Sequence, residues 1–253
     1  MNERSIGVIL SYTNIFLQIT VNLVYIPVLL HYIGKEQYGL YQLIAAVVAY
    51  ISIMDLGFSN AITRFYTMYF HQKNIEKAEN TLAIAAFVYV AIAVFISLIG
   101  FLIYIFFNEI FSSLALEEMR EAKIVYWILF FNVLLTVTTS MFTAVINTHE
   151  KFVFLKTINL TQTLLPSIIA ISFIKLYPNI FFLVLTQLII TIICTAIKIF
   201  YCFNIIKIKV KYYYWDKLLF NNIFKLSMSV FIVMISDQIF WRSNQIILGV
   251  NID

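Results

Sequence analysis

Asp55 is the only charged residue between Glu36 and Arg64, and Asp237 and Arg242 interrupt a second apolar stretch after Lys217. Holding such a charge at the centre of an apolar helix in lipid costs about 2.5–3.5 kcal/mol. Each is therefore expected to face an interior and to bind a partner, a proton or a cation. For Asp55 the alternative is a cap on backbone donors beside Gly57; for Arg242 it is a side chain reaching the membrane surface. Polar residues recur at helical steps in several of the apolar stretches: Ser11, Asn14, Gln18 and Asn22; Gln42, Ser52, Asp55, Ser59 and Thr63; Asn132, Thr136, Thr139 and Thr143. Such stripes serve either as hydrogen-bonding glue between helices or as the lining of a hydrated cavity. Both uses are coordination chemistry, with no bond made or broken. His31, His71 and His149 are isolated from one another in sequence, and no H-E-x-x-H, paired-cysteine or glycine-rich phosphate motif occurs. The expectation is a protein that is not an enzyme and uses no cofactor or metal. The acidic run Glu117, Glu118 and Glu121 reads as a solvated helix start.

The elements that carry these residues are long apolar helices. The 253 residues are 62% hydrophobic and 12% charged, against about 25% charged in soluble domains. Spanning the hydrocarbon layer takes about 20 residues. Apolar runs near 5–33, 39–63, 81–107, 123–146, 153–175, 180–205 and 222–247 meet that length. The fold expected is an all-α bundle of transmembrane helices. The short turns, such as Gly34-Lys35-Glu36 and Pro178-Asn179, imply antiparallel packing of neighbouring spans. Span three, almost wholly apolar from Ile84 to Phe107, is expected to face lipid. Cys194 and Cys202 lie about 12 Å apart along one helix, too far for a disulfide. Arg4, Arg64, Lys73, Lys77, Lys151, Lys156, Lys198, Lys207, Lys209, Lys211 and Lys217 fall on the amino-terminal side, against Lys35, Arg120, Lys123 and Lys175 on the other. By the positive-inside rule the amino terminus is cytoplasmic. The division expected is a six-helix lobe over 1–205, a basic linker over 206–221 and the first helix of a second lobe over 222–253. Lys207, Lys209 and Lys211 alternate with apolar residues before Tyr212, Tyr213, Tyr214 and Trp215. In so hydrophobic a chain this pattern suits anionic lipid headgroups rather than nucleic acid.

The run Tyr25-Ile26-Pro27, the corner from His31 to Tyr41 and the segment Asp55-Leu56-Gly57-Phe58-Ser59-Asn60-Ala61 with Arg64-Phe65 resemble bacterial polysaccharide biosynthesis proteins of the oligosaccharide flippase family. That family belongs to the superfamily of the multidrug and toxin extrusion (MATE) transporters and the lipid II flippase. The resemblance implies a bacterial cytoplasmic membrane protein that moves undecaprenyl-linked oligosaccharide, alongside membrane lipids and polysaccharide-assembly proteins such as a polymerase. It implies a cavity drawing on Asn14, Gln18, Asn22, Ser52, Asp55, Ser59, Arg64, Asn132, Thr136, Asp237 and Arg242. Asp55 would serve as coupling-ion site, and Arg64 or Arg242 as diphosphate contact. Family members have two lobes of about six helices, so the chain resembles an amino-terminal lobe plus one helix, as a truncated transporter would. A cation-coupled extruder of small molecules, or an inactive half serving as an assembly partner, are the alternatives.

Overall fold

The computed structural model describes the backbone of residues 3–52, 55–112 and 114–250, and the side chains of all of these except 3–5, 52 and 237–250. Among them there is no strand. Ten α-helices follow one another: α1 (Glu3–Tyr32), α2 (Lys35–Ser52), α3 (Phe58–His71), α4 (Ile75–Ile105), α5 (Phe107–Ile110), α6 (Leu116–Thr138), α7 (Ser140–Thr148), α8 (Phe152–Phe173), α9 (Ile180–Phe200) and α10 (Lys217–Val250). Among the described residues, six helical segments are long and apolar enough to cross a membrane: Ile6–Tyr32, Ile75–Ile105, Leu116–Thr148, Phe152–Phe173, Ile180–Ile206 and Lys217–Ser236.

The helix ends follow from local chemistry. Gly34 takes the left-handed conformation (φ 88°) that stops α1. Asn74 caps α4 by accepting from the Lys77 amide at 3.1 Å, and Asn179 caps α9 by accepting from Phe181 at 2.8 Å. Glu118 accepts from the Ala115 amide at 3.0 Å at the start of α6, so the acidic cluster is a helix start. Cys194 and Cys202 are buried free thiols.

The crossing expected as one helix over 39–63 is broken. Leu56 (φ 52°) and Gly57 (φ 74°) are both left-handed, a conformation that cannot continue a right-handed helix. A milder break divides the fourth crossing at Thr139, between α6 and α7. There Thr138 and Thr139 donate back to the carbonyls of Leu134 and Leu135, and Ser140 to that of Val137. Such back-bonding hydroxyls bend helices.

For α1 and α2, sequence adjacency does not set the packing. The first lies mainly against α8 and the second against α6, while α3 lies against α7. The pairs α2–α6 and α3–α7 match in the same order, so the two broken crossings run parallel and their breaks lie side by side. Short turns fix the direction of the next helix but leave its partner to side-chain fit.

The expectation for span three holds for one face only: Phe87, Val90, Val94, Leu98 and Phe101 are exposed on the outside of the bundle, while the opposite face is buried. Ile84, Ala85, Val88, Tyr89, Ile92 and Ile96 of α4 are buried in the largest core cluster, with Phe58, Ala61 and Ile62 of α3 and Ile223 of α10. A helix apolar all round suits a protein core as well as lipid, and small residues decide which. Gly100 lets Phe130 of α6 pack directly on the α4 backbone, and Tyr126 donates to the Gly100 carbonyl at 2.7 Å.

Candidate functional site

The paired breaks bring polar side chains together. Asp55 precedes the left-handed pair, and its Oδ2 accepts from the Ser59 amide at 3.4 Å, capping the start of α3. The Tyr89 hydroxyl of α4 lies among the side chains of Asp55, Ser59 and Ser140. Asp55 Oδ1 and the Tyr89 hydroxyl are nevertheless buried without a well-formed hydrogen bond. The Ser227 hydroxyl of α10 is likewise buried and unpartnered, one helical turn from Val230, which fills the space above Gly57. Orphan polar groups cost about 1–3 kcal/mol each. A cluster of them at a helix break therefore has unused capacity for a proton, a water or a hard cation. Among the described residues no three His, Cys, Asp or Glu side chains converge as a metal site.

The other residues picked out by sequence lie elsewhere. On α1, Gln18 and Asn22 are exposed, whereas Asn14 is half-buried with its Oδ1 unpartnered. Asn132 of α6 donates to the Thr191 hydroxyl of α9 at 3.0 Å, and Gln162 of α8 approaches the same oxygen at 3.4 Å. The Thr191 hydroxyl, as the shared acceptor, thus ties three helices together. Thr136 is exposed and donates to the Asn132 carbonyl at 2.8 Å. Arg64 is exposed on α3. The side chains of Ser52, Asp237 and Arg242 lie outside the described residues. Of the residues picked out by sequence, the structure thus joins Asp55 to Ser59 by a hydrogen bond.

Two features were missed in the sequence. Asn80 is buried at 1% exposure. Its Nδ2 donates to the Tyr214 carbonyl at 3.0 Å while its Oδ1 accepts from the Tyr213 amide at 3.0 Å, fastening the linker to α4. Beside it, Tyr213 donates to Glu79 at 2.7 Å, which pushes the Tyr213 phenol above its ordinary pKa. The second feature is a cavity of about 570 Å³, bordered by His71 and His149 together with Lys73, Lys207 and Lys209. Histidines isolated in sequence are thus neighbours in space. His149 lies 3.4 Å from the Tyr66 hydroxyl and against the Phe70 ring. Burial, then Lys151 and His71, pushes its imidazole below the ordinary histidine pKa.

Long apolar helices, two of the crossings broken at matching depth, define a multi-pass membrane protein of transporter fold. The structure is similar to that of a MATE in the bent conformation (TM-score 0.65, 12% identity, 94% of this chain and 55% of that one). It is also similar to a MOP superfamily transporter from Pyrococcus furiosus, whose description reports a binding pocket of reversed polarity (TM-score 0.63, 12% identity, 92% of this chain and 53% of that one). The chain thus spans about half the length of these solved transporters. No curated protein matches it significantly. The model of the polysaccharide biosynthesis protein family matches residues 6–253, and the chain belongs to that family.

Proposed function

We propose that the chain forms one lobe of a flippase that carries lipid-linked oligosaccharide across the bacterial cytoplasmic membrane by alternating access, with the amino terminus in the cytoplasm. The observation that carries this reading is the exposed amide face of α1, where Gln18 and Asn22 stand midway along a membrane-length helix. Amides are poorly accommodated by acyl chains and well matched to the hydroxyls of a sugar. Facing a second lobe across water, they would line a passage for the oligosaccharide while the prenyl tail stays in lipid. Asp55 is the coupling site in this scheme. Its free Oδ1, with the hydroxyls of Tyr89, Ser59 and Ser140 close by, suits a proton or a hard monovalent cation at an unwound helix.

The test is transbilayer movement of a fluorescent undecaprenyl diphosphate oligosaccharide in proteoliposomes containing the native gene product. Acceleration over protein-free vesicles, reduced by Gln18→Ala with Asn22→Ala, is expected. No acceleration, or acceleration of small cationic dyes alone, overturns the proposal and in the second case favours a small-molecule extruder.

A further inference from the structure

The 570 Å³ cavity lies at the end of the bundle that carries the start of α1, away from the Asp55 cluster and from the α1 amides. Three segments close around it. His71 ends α3 and Lys73 follows it in the α3–α4 turn, His149 comes from the turn between α7 and α8, and Lys207 and Lys209 from the linker. The linker reaches this position through a tightly specified path. After the wide turns of Tyr201–Ile206, Lys207 adopts a left-handed conformation (φ 60°), and Lys73 across the cavity does the same (φ 56°). The Ile208 amide then donates to the Cys202 carbonyl at 3.1 Å, and Asn80 holds the chain at Tyr213 and Tyr214.

The lining is amphiphilic. Three ammonium groups face a single carboxylate, Glu79, which is already engaged by Tyr213. Between and beneath them Tyr66, Phe70, Leu82, Ile206 and Ile208 supply apolar wall. A simple soluble anion would use the charges and leave that wall wet. A membrane lipid with an anionic phosphate uses both, because its phosphate meets the ammonium groups while its glycerol and upper acyl carbons cover the aromatic and aliphatic side chains. Juxtamembrane lysines each contribute about 1 kcal/mol toward anionic lipid, and their convergence on one concave site gives selection of a single molecule rather than a diffuse cloud.

We propose that this cavity is a binding site for the phosphate headgroup of an anionic phospholipid, which staples the linker preceding α10 to the α3–α4 and α7–α8 turns. The site is separate from the transported cargo and does not depend on the identity of that cargo.

The test uses the full chain in detergent, stripped of lipid, with phosphatidylglycerol, phosphatidylcholine and inorganic phosphate as probes. Native mass spectrometry reads the number of lipids retained, and hydrogen exchange reads protection of the linker. A single phosphatidylglycerol is retained in preference to phosphatidylcholine, and it slows exchange over 206–216. Lys73→Gln with Lys207→Gln weakens retention roughly tenfold or more. Lys211→Gln with Lys217→Gln removes the same charge outside the cavity and leaves retention near that of the unaltered chain. Equal loss in both double variants overturns the site in favour of diffuse surface charge. Equal retention of phosphatidylcholine removes the anionic selectivity and overturns it too. Equal linker protection by inorganic phosphate overturns the lipid assignment in favour of a free phosphate ion. Thermal midpoints in phosphatidylcholine check that the variants fold. Should the cavity variant fail to fold, the contrast between the two lipids on linker exchange in the unaltered chain decides.

Discussion

A methyl group placed on Gly57 would lie 2.6 Å from Cγ1 of Val230, so the left-handed break in the second crossing is seated directly against α10. The break and the last helix are parts of one contact. Gly57 meets two requirements together, a positive φ and the absence of a side chain.

Gly57→Ala is accordingly expected to destabilise the α3–α10 contact by about 1–3 kcal/mol, from backbone strain and overpacking combined. The measurement is the thermal midpoint of the purified chain in detergent. An unchanged midpoint would mean that α10 is free to move away.

Gly100→Ala tests the other close approach, where the added methyl would collide with the Phe130 ring. A loss of about 1–3 kcal/mol is expected from overpacking, visible as a lower thermal midpoint. Pairing it with Phe130→Leu should recover part of that loss by making room.

Asp55→Asn keeps the size of the side chain and removes its charge. Under the coupling role proposed above, transport of lipid-linked oligosaccharide and surface polysaccharide display are largely lost while membrane insertion and thermal midpoint persist. Normal display would remove Asp55 from the mechanism and leave it as the cap on Ser59.

Asn80→Ala cuts the bonds to Tyr213 and Tyr214 and should free the linker at a cost of about 1–3 kcal/mol. Faster hydrogen exchange of those two amides, with α4 itself unchanged, is the expected result. Asn80→Asp, which turns a carboxylate oxygen toward the Tyr214 carbonyl in a buried position, should free the linker at least as much as Asn80→Ala.

The pH response of His149 has a definite sign. Its imidazole is held below the ordinary value of 6.5 in the folded chain, so the unfolded chain takes up more protons once the pH falls through about 6.5. Stability present above that pH is then lost progressively toward the lower folded value. The groups facing it are Tyr66, Phe70, His71 and Lys151. Thermal midpoints measured from pH 7.5 to 5.5 in neutral detergent should fall less for His149→Gln than for the unaltered chain, and parallel curves would refute this.

Sequence by itself determined that the chain crosses a membrane repeatedly as helices, where several helices begin and end, and that Asp55 and Gly57 mark an irregular point. These are local properties, because apolar length, a left-handed glycine and a capping asparagine act within one or two turns of chain. Which helix touches which was settled only in three dimensions. The apolar stretch of α4 from Ile84 onward carried no mark to distinguish a lipid face from a protein core, and the contact of Gly100 with Phe130 depends on residues far apart in sequence. The same limit hid the basic cavity. His71, His149 and Lys207 belong to three separate segments, and Asn80 is an ordinary amide near the start of α4 until the linker folds back onto it. Partners for such groups are chosen by packing across the whole bundle, which no short window of sequence contains.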